Sequence, residues 1–383
     1  MRFVLANEKL IVSGRSYAGF PLLLDDSGDA IQPAQAFLWD LLASPGRRNS
    51  KDTWAAYGRS IFDYFAYLLV NNLDWTAGPG PGYGGPIVEY RDWSSGELGL
   101  SPRTINQRMR VVVRFYSWAL KKKLIDDLPF DTSTIRVPEG HNFLSHLRPQ
   151  SGIADTPEIL LREPCLSIPF ITKEQAKDCL NNVNNQTHKL MFQLMLRTGL
   201  RQVECRTFPE NYVFDPTRKK HLTQGQKIRV TLSPRDMKLK FGKARDIDIP
   251  YDLMVDLFWY ACRQRQKREN QATNGAKFTT LFLTENGKPY GKTAFTDIFS
   301  RLSACVGYKV RPHMLRHTYA TYLLWSLRRS DDFKGEPLLY IRDRLGHSNV
   351  TTTAKYLHLV NLLDGQLTLK HEDEMDKLFR GED

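Results

Sequence analysis

The stretch DTWAAYGRSIFDYFAYLLV, residues 52–70, permits one regular structure. Its apolar side chains recur at Trp54, Tyr57, Ile61, Phe65 and Leu68, a spacing that gathers them along one side of an α-helix. Such a helix draws most of its stability from packing that side against other apolar faces, so its neighbours are expected to be helices too. PAQAFLWDLLA supplies one, with Phe37, Leu38 and Leu41 on one side and Pro33 in the first turn. SPRTINQRMRVVVRFYSWALKKKLI supplies another, entered through Ser101 and Pro102 and striped by Met109, Val112, Val113, Tyr116 and Leu120. Glycines and prolines in TAGPGPGYGGP break the chain at residues 76–86. Residues 1–30 alternate weakly around SGR and DDSGD and read as an N-terminal arm or short hairpin. The helical first domain is therefore expected over residues 31–135.

Residues 136–167 carry Pro138, Pro149 and Pro157 with little regular pattern and read as a linker. A second domain is expected over 168–362. TKEQAKDCLNNV, started by Thr172 or Ser167, and THKLMFQLMLRTGL are its first helices. KIRVTLSP, DMKLKFG and ARDIDIP have the look of short strands between turns. Further helices are predicted near 251–269, 292–305, 315–329, 336–344 and 350–362. The fold class is mainly α: a helical domain, a linker, and a larger, mostly helical domain with a small antiparallel β-sheet.

The chain has 383 residues and a net charge of +12. After Tyr356 there are seven acids against three bases, a net −4, which leaves +16 on the preceding 356 residues. A body so basic suits a polyanion, and nucleic acid is the first candidate. The five cysteines are widely spaced and form no C-x-x-C pair, so neither a structural zinc nor a disulfide framework is indicated. No apolar run approaches a membrane span, and a cytoplasmic setting is expected. The acidic tail, 363–383, holds Met375, Leu378 and Phe379 at helical spacing. These make either a docking surface for a neighbouring subunit or a segment that packs in cis or frays.

Two groups of residues raise the question of chemistry. HMLRH brings His313, Arg316 and His317 together, and LGHSNVTTTAKY follows with His347 and Tyr356. A metal site, a phosphate site and a solvated basic face all fit that inventory. His313 and His317 are spaced i, i+4, but the glutamate of a metalloprotease helix is missing and an arginine sits between them. No metal is expected. On the helix after Ser101, Arg108, Arg110 and Arg114 flank the apolar stripe and Lys121, Lys122 and Lys123 follow it. They form either a solvated face or a face laid on DNA phosphates.

In their order, four segments resemble the boxes of the tyrosine recombinases, the phage integrase family. LMLRTGLRQVE is similar to the first arginine box, KLKFGKARDIDIP to the hairpin of the catalytic lysine, HMLRH to the histidine–arginine box, and LGHSNVTTTAKY to the histidine–tyrosine box. The resemblance spans about residues 168–360. The helical first domain resembles, more loosely, the family's core-binding domain.

This resemblance implies a catalytic set of Arg201, Lys240, His313, Arg316, His347 and the nucleophile Tyr356, with Glu204 bracing Arg201. Lys243 is a rival to Lys240 on the same hairpin and otherwise a DNA-backbone contact, and His317 is expected to be structural. The residue types suit the chemistry. Arginine forks match the two nonbridging oxygens of a phosphodiester, a tyrosine forms a covalent phosphotyrosine, and a lysine can give its proton to the leaving 5′ oxygen. The ester retains the bond energy, so no cofactor is needed. The implied function is site-specific DNA recombination for integration, excision or resolution, by a tetramer on double-stranded DNA. The alternatives are DNA relaxation like that of a type IB topoisomerase, or a non-catalytic DNA-binding regulator of the same fold. No separate arm-binding module, such as many phage integrases carry, is expected in the thirty residues before the first helix.

Overall fold

The computed structural model describes residues 1–44, 50–78, 85–136, 153–164, 168–272, 275–361 and 363–364. The chain divides into two compact units, Met1–Leu166 and Ser167–Asp383, each with its own apolar core.

The first unit is built on α1 (Ala34–Leu42), α2 (Lys51–Val70), α3 (Pro86–Gly96) and α4 (Pro102–Lys121). Ser50 and Ser101 start α2 and α4 by accepting the backbone N–H of the residue three positions on, which satisfies donors that no helix can pair internally. Trp54, Ile61, Phe65 and Leu68 of α2 are buried, as are Met109, Val112 and Tyr116 of α4, while Tyr57, Val113 and Leu120 are half-buried. Helix α3 was not expected. Its buried positions, Pro86, Ile87, Tyr90 and Ser94, are few, and a glycine-rich stretch precedes them.

Residues 1–30 form two small antiparallel pairs, β1 (Arg2–Leu5) with β4 (Pro21–Leu24) and β2 (Ile11–Val12) with β3 (Arg15–Ser16). They bury Tyr17, Phe20 and Leu23 in the core of this unit, so the segment is part of the unit's core and no loose arm. The region read as a linker is also more ordered than expected. It contains β6 (Ile153–Pro157), which pairs with β5 (Thr132–Arg136) at the end of the expected helical domain, in register from Thr132 opposite Pro157 to Arg136 opposite Ile153.

In the second unit, α5 (Lys173–Asn182) begins with a reciprocal cap between Thr172 and Gln175. Helix α6 (Gln186–Thr198) is capped by Asn185 and ends on Gly199 with φ 69°. There follow α7 (Gln202–Arg206), the antiparallel pair β7 (Lys227–Leu232) and β8 (Arg245–Pro250), then α8 (Tyr251–Tyr260), a π-turn (Ala261–Arg265) and α9 (Gln266–Asn270). Helices α10 (Lys292–Val306), α11 (Pro312–Arg328), α12 (Pro337–Leu345) and α13 (Val350–Ala354) complete the unit, with residues 356–361 again helical.

The strand expected at DMKLKFG does not form. Residues 240–242 make one 3-10 turn in which Phe241 has φ 64° and Gly242 φ 62°, and left-handed backbone ends any pairing there. Met375, Leu378 and Phe379 lie outside the described residues.

Candidate active site

Five of the expected catalytic residues converge in the second unit, and the end of α12 organises them. A helix terminates with carbonyls that lack intrahelical partners and carry the negative end of its dipole. Here three consecutive carbonyls each accept from a different arginine. Arg344 O takes Arg245 Nε at 3.0 Å, Leu345 O takes Arg316 Nη2 at 2.6 Å, and Gly346 O takes Arg201 Nη2 at 3.3 Å.

Arg316 lies on α11, almost fully buried, and its second nitrogen donates to Gly199 O at 2.7 Å. Burial and then the charge of Arg201 lower its pKa to about 9, which leaves it charged at neutral pH. The αL turn at Gly199 is needed to present that carbonyl. A Cβ there would come within 2.5 Å of the Tyr319 ring, so the TGLR sequence has a steric reason as well as a conformational one.

Arg201 stands before α7 and is braced as expected. Glu204 accepts its backbone N–H at 2.7 Å and its Nη1 at 2.9 Å. The carboxylate of Glu204 is fully buried. Burial alone would raise its pKa, but the hydrogen bonds and charge of Arg245, followed by the charge of Arg201, hold it down at about 2. A guanidinium has five N–H donors, so the carbonyl and carboxylate bonds of Arg201 and Arg316 leave each with donors for a phosphate.

Tyr356 is buried, and its Oη lies 2.9 Å from His317 Nδ1. His317, expected to be structural, is thus the immediate partner of the phenol. The signal was present in HMLRH, where one helical turn separates the two histidines, but sequence does not tell which ring meets Tyr356. Burial raises the phenol's pKa, against the pull of Arg316 and then Arg201. The ring of His347 stacks on Tyr356 with centroids 6.5 Å apart, and its Nδ1 is 3.0 Å from Thr353 Oγ1. His313 packs edge-on to His317 at 4.3 Å. Burial, then neighbouring positive charge, lowers His317 and His347 to about 3, so both imidazoles are neutral at pH 7. His313 keeps an exposed edge, and the protein around its ring, then Arg316, Arg201 and Lys240, also lower its pKa.

Lys240 stands apart from this cluster, exposed on the 3-10 turn with Nζ 5.0 Å from the Phe241 ring centre. Its charge reaches the site through His313. Lys243, three residues on, lines a separate concavity of ≈ 560 Å³ beside Gly346 and His347. A larger one of ≈ 770 Å³ is lined by Arg201 and His313 together with Lys309, Arg311 and Phe299. Lys309 and Arg311, at the entrance to α11, are not among the expected site residues. Among the described residues no cluster of His, Cys, Asp and Glu is arranged to hold a metal, and no helix is long and apolar enough to cross a membrane.

In the first unit four of the expected DNA-backbone residues on and after α4 are already partnered. Arg108 pairs with Asp63, Arg110 with Glu163 at 3.0 Å, and Lys122 with Asp40 at 2.8 Å. Arg114 donates to the Tyr57 hydroxyl and sits over its ring. Lys121 and Lys123 are exposed.

The profile of the phage integrase family matches residues 169–361, which contain the whole expected catalytic set from Arg201 to Tyr356 but none of the basic residues of α4. The chain belongs to the phage integrase family. It is a tyrosine recombinase, an enzyme of site-specific DNA recombination. It is 26% identical over 268 residues to tyrosine recombinase XerC of Bacillus subtilis, covering 69% of this chain and 72% of that protein. It is 22% identical to transposase A of transposon Tn554 from Staphylococcus aureus, over 92% of this chain and 94% of the relative. Among solved structures, the Tn1549 transposon integrase in complex with a circular intermediate DNA aligns over 84% of this chain and 94% of its own, at 19% identity and a TM-score of 0.55. This recombinase therefore shares the integrase fold.

Proposed function

We propose that this recombinase cleaves one DNA strand through Tyr356 and a 3′-phosphotyrosine. The phenolic oxygen attacks the scissile phosphorus, and the bond from phosphorus to the 5′ oxygen breaks. His317, neutral and 2.9 Å from the phenol, accepts the phenolic proton. Lys240 gives a proton to the leaving oxygen, which departs as a 5′ hydroxyl. Arg201 and Arg316 hold the two nonbridging oxygens while charge builds on them, and His347 and His313 orient the phosphate. Attack by a 5′ hydroxyl of another strand reverses the step and completes the exchange without a cofactor. The working assembly is a tetramer on double-stranded DNA, in the cytoplasm, and the exposed Arg110, Lys121 and Lys123 bind the DNA backbone.

One observation carries this reading: the phenol of Tyr356 meets a neutral imidazole beside two arginines that the fold has anchored through peptide carbonyls. It is tested on a nicked suicide substrate bearing the recombination site. The wild-type chain forms a covalent protein–DNA adduct, and Tyr356→Phe binds the same DNA without forming one. An undiminished adduct in Tyr356→Phe, mapped to another residue, overturns the assignment.

A further inference from the structure

Arg245 has no part in the chemistry just proposed, yet its side chain is 6% exposed and each of its three guanidinium nitrogens is hydrogen-bonded. Nη1 and Nη2 form a two-pronged bond to Glu204, at 2.9 Å to Oε1 and 2.6 Å to Oε2, and Nε donates to Arg344 O at 3.0 Å. Its aliphatic stem runs so close to Gly346 that a Cβ there would lie 2.8 Å from Arg245 Cδ. Through these bonds one side chain joins three parts of the site: the carboxylate that braces Arg201, the end of α12 that anchors Arg201 and Arg316, and the start of β8. That strand follows directly on the turn carrying Lys240.

We propose that Arg245 is a positioning residue for cleavage, holding Arg201 where its guanidinium meets the scissile phosphate. This inference rests on the catalytic reading above. Two cations, Arg245 and Arg201, compete for the buried carboxylate of Glu204. A buried carboxylate left with one partner draws that partner in, because its desolvation is costly unless it is paired. While Arg245 supplies the fork, Arg201 gives Glu204 a single side-chain nitrogen and Gly346 O another, and keeps the N–H donors left over for DNA. Without Arg245, the Arg201 fork turns onto Glu204 and away from the phosphate. Arginine is needed at residue 245 because only a planar fork binds both carboxylate oxygens and a peptide carbonyl at once.

The test compares two suicide substrates that differ only at the scissile position. One carries the ordinary phosphodiester; the other carries a methylphosphonate, in which a methyl group replaces a nonbridging oxygen and removes the charge that Arg201 stabilises. With full-length Arg245→Gln at saturating DNA, single-turnover cleavage of the phosphodiester is expected to fall about tenfold or more, the rate equivalent of ~1.4 kcal/mol or more. DNA affinity should stay within about twofold, because no phosphate contact is removed. On the methylphosphonate the deficit should shrink to under about threefold, and Arg201→Ala should show the same substrate dependence. Arg245→Lys, which keeps the charge and loses the fork, should fall between.

The ratio of the two rates within one preparation is insensitive to the fraction of folded protein. A general loss of structure lowers both rates together. An equal deficit on both substrates, or none on either, overturns the positioning role. Failure of the catalytic reading shows itself separately, as an adduct that survives Tyr356→Phe.

Discussion

The two units both carry arginines but use them in opposite ways. On α4, Arg110 and Arg114 lie at the surface, and Arg110 meets its partner Glu163 with 55% of its own side chain in solvent. Near α12, the Arg245 and Arg316 side chains are buried, and Arg201 is nearly so, all three fixed by peptide carbonyls and Arg201 and Arg245 also by one buried carboxylate. Exposed ion pairs stabilise little and exchange readily for other anions, so the α4 set can trade a carboxylate for a DNA phosphate. Buried arginines have already lost their water. Their donors are held in place before any substrate arrives, which is the condition for stabilising charge during a reaction.

The sharpest way to break this contrast is Arg316→Ala. With DNA saturating, cleavage should drop by about two to three orders of magnitude, as for loss of a preorganised oxyanion donor. Leaving Gly199 O and Leu345 O without their donor should also lower the melting temperature, since buried carbonyls stripped of partners are costly. Equal single-turnover cleavage by wild type and Arg316→Ala refutes the clamp.

Lys240 occupies the middle ground, exposed like the α4 set yet assigned to the reaction. Lys240→Ala should lose cleavage of an ordinary phosphodiester and regain it on a substrate with a 5′-bridging sulfur, which leaves without a proton. Arg201→Ala should gain nothing from the sulfur. Rescue of Lys243→Ala instead of Lys240→Ala moves the acid three residues along.

Smaller effects are expected from pH and from α4. His317 and His347 titrate near 3 in the folded chain, below the ordinary histidine value of roughly 6.5. The unfolded chain therefore binds more protons between those values, and stability falls as pH drops from about 6.5 towards 3. Glu204 adds to the loss only below about 4.5, the value from which it is lowered. Melting between pH 7.5 and 5 should show the histidine part, and His347→Gln should flatten the slope. Arg110→Ala and Arg114→Ala should leave cleavage at saturating DNA unchanged. Each should weaken binding and reduce the steepness of its salt dependence by about one counterion.

What sequence could reveal was set by range. The brace between Arg201 and Glu204 spans three residues and was legible, as were the caps at Ser101 and Thr172. Arg245 was not: its carboxylate lies 41 residues away in the chain and its carbonyl 99, and no local pattern announces such a pairing. KLKF alternates as a strand does, but the two left-handed residues after Lys240 are a matter of backbone, and Phe241 gives no warning of them. For His317, the spacing placed the ring on the correct face of α11, and only the packing of residues 356–361 decided which histidine meets the phenol. The N-terminal thirty residues looked marginal because their buried positions, Tyr17, Phe20 and Leu23, are scattered among turns.

The row of carbonyls at residues 344–346 also fixes a length. Each residue added to or removed from a helix turns its end by about 100° and moves it by about 1.5 Å. One residue inserted in or deleted from Pro337–Leu345 would swing all three acceptors away from Arg245, Arg316 and Arg201 together, while altering no atom of any catalytic side chain. Helix α12 thus acts as a ruler for the site. Its sequence is open to change wherever a side chain faces water, but its count of residues is not.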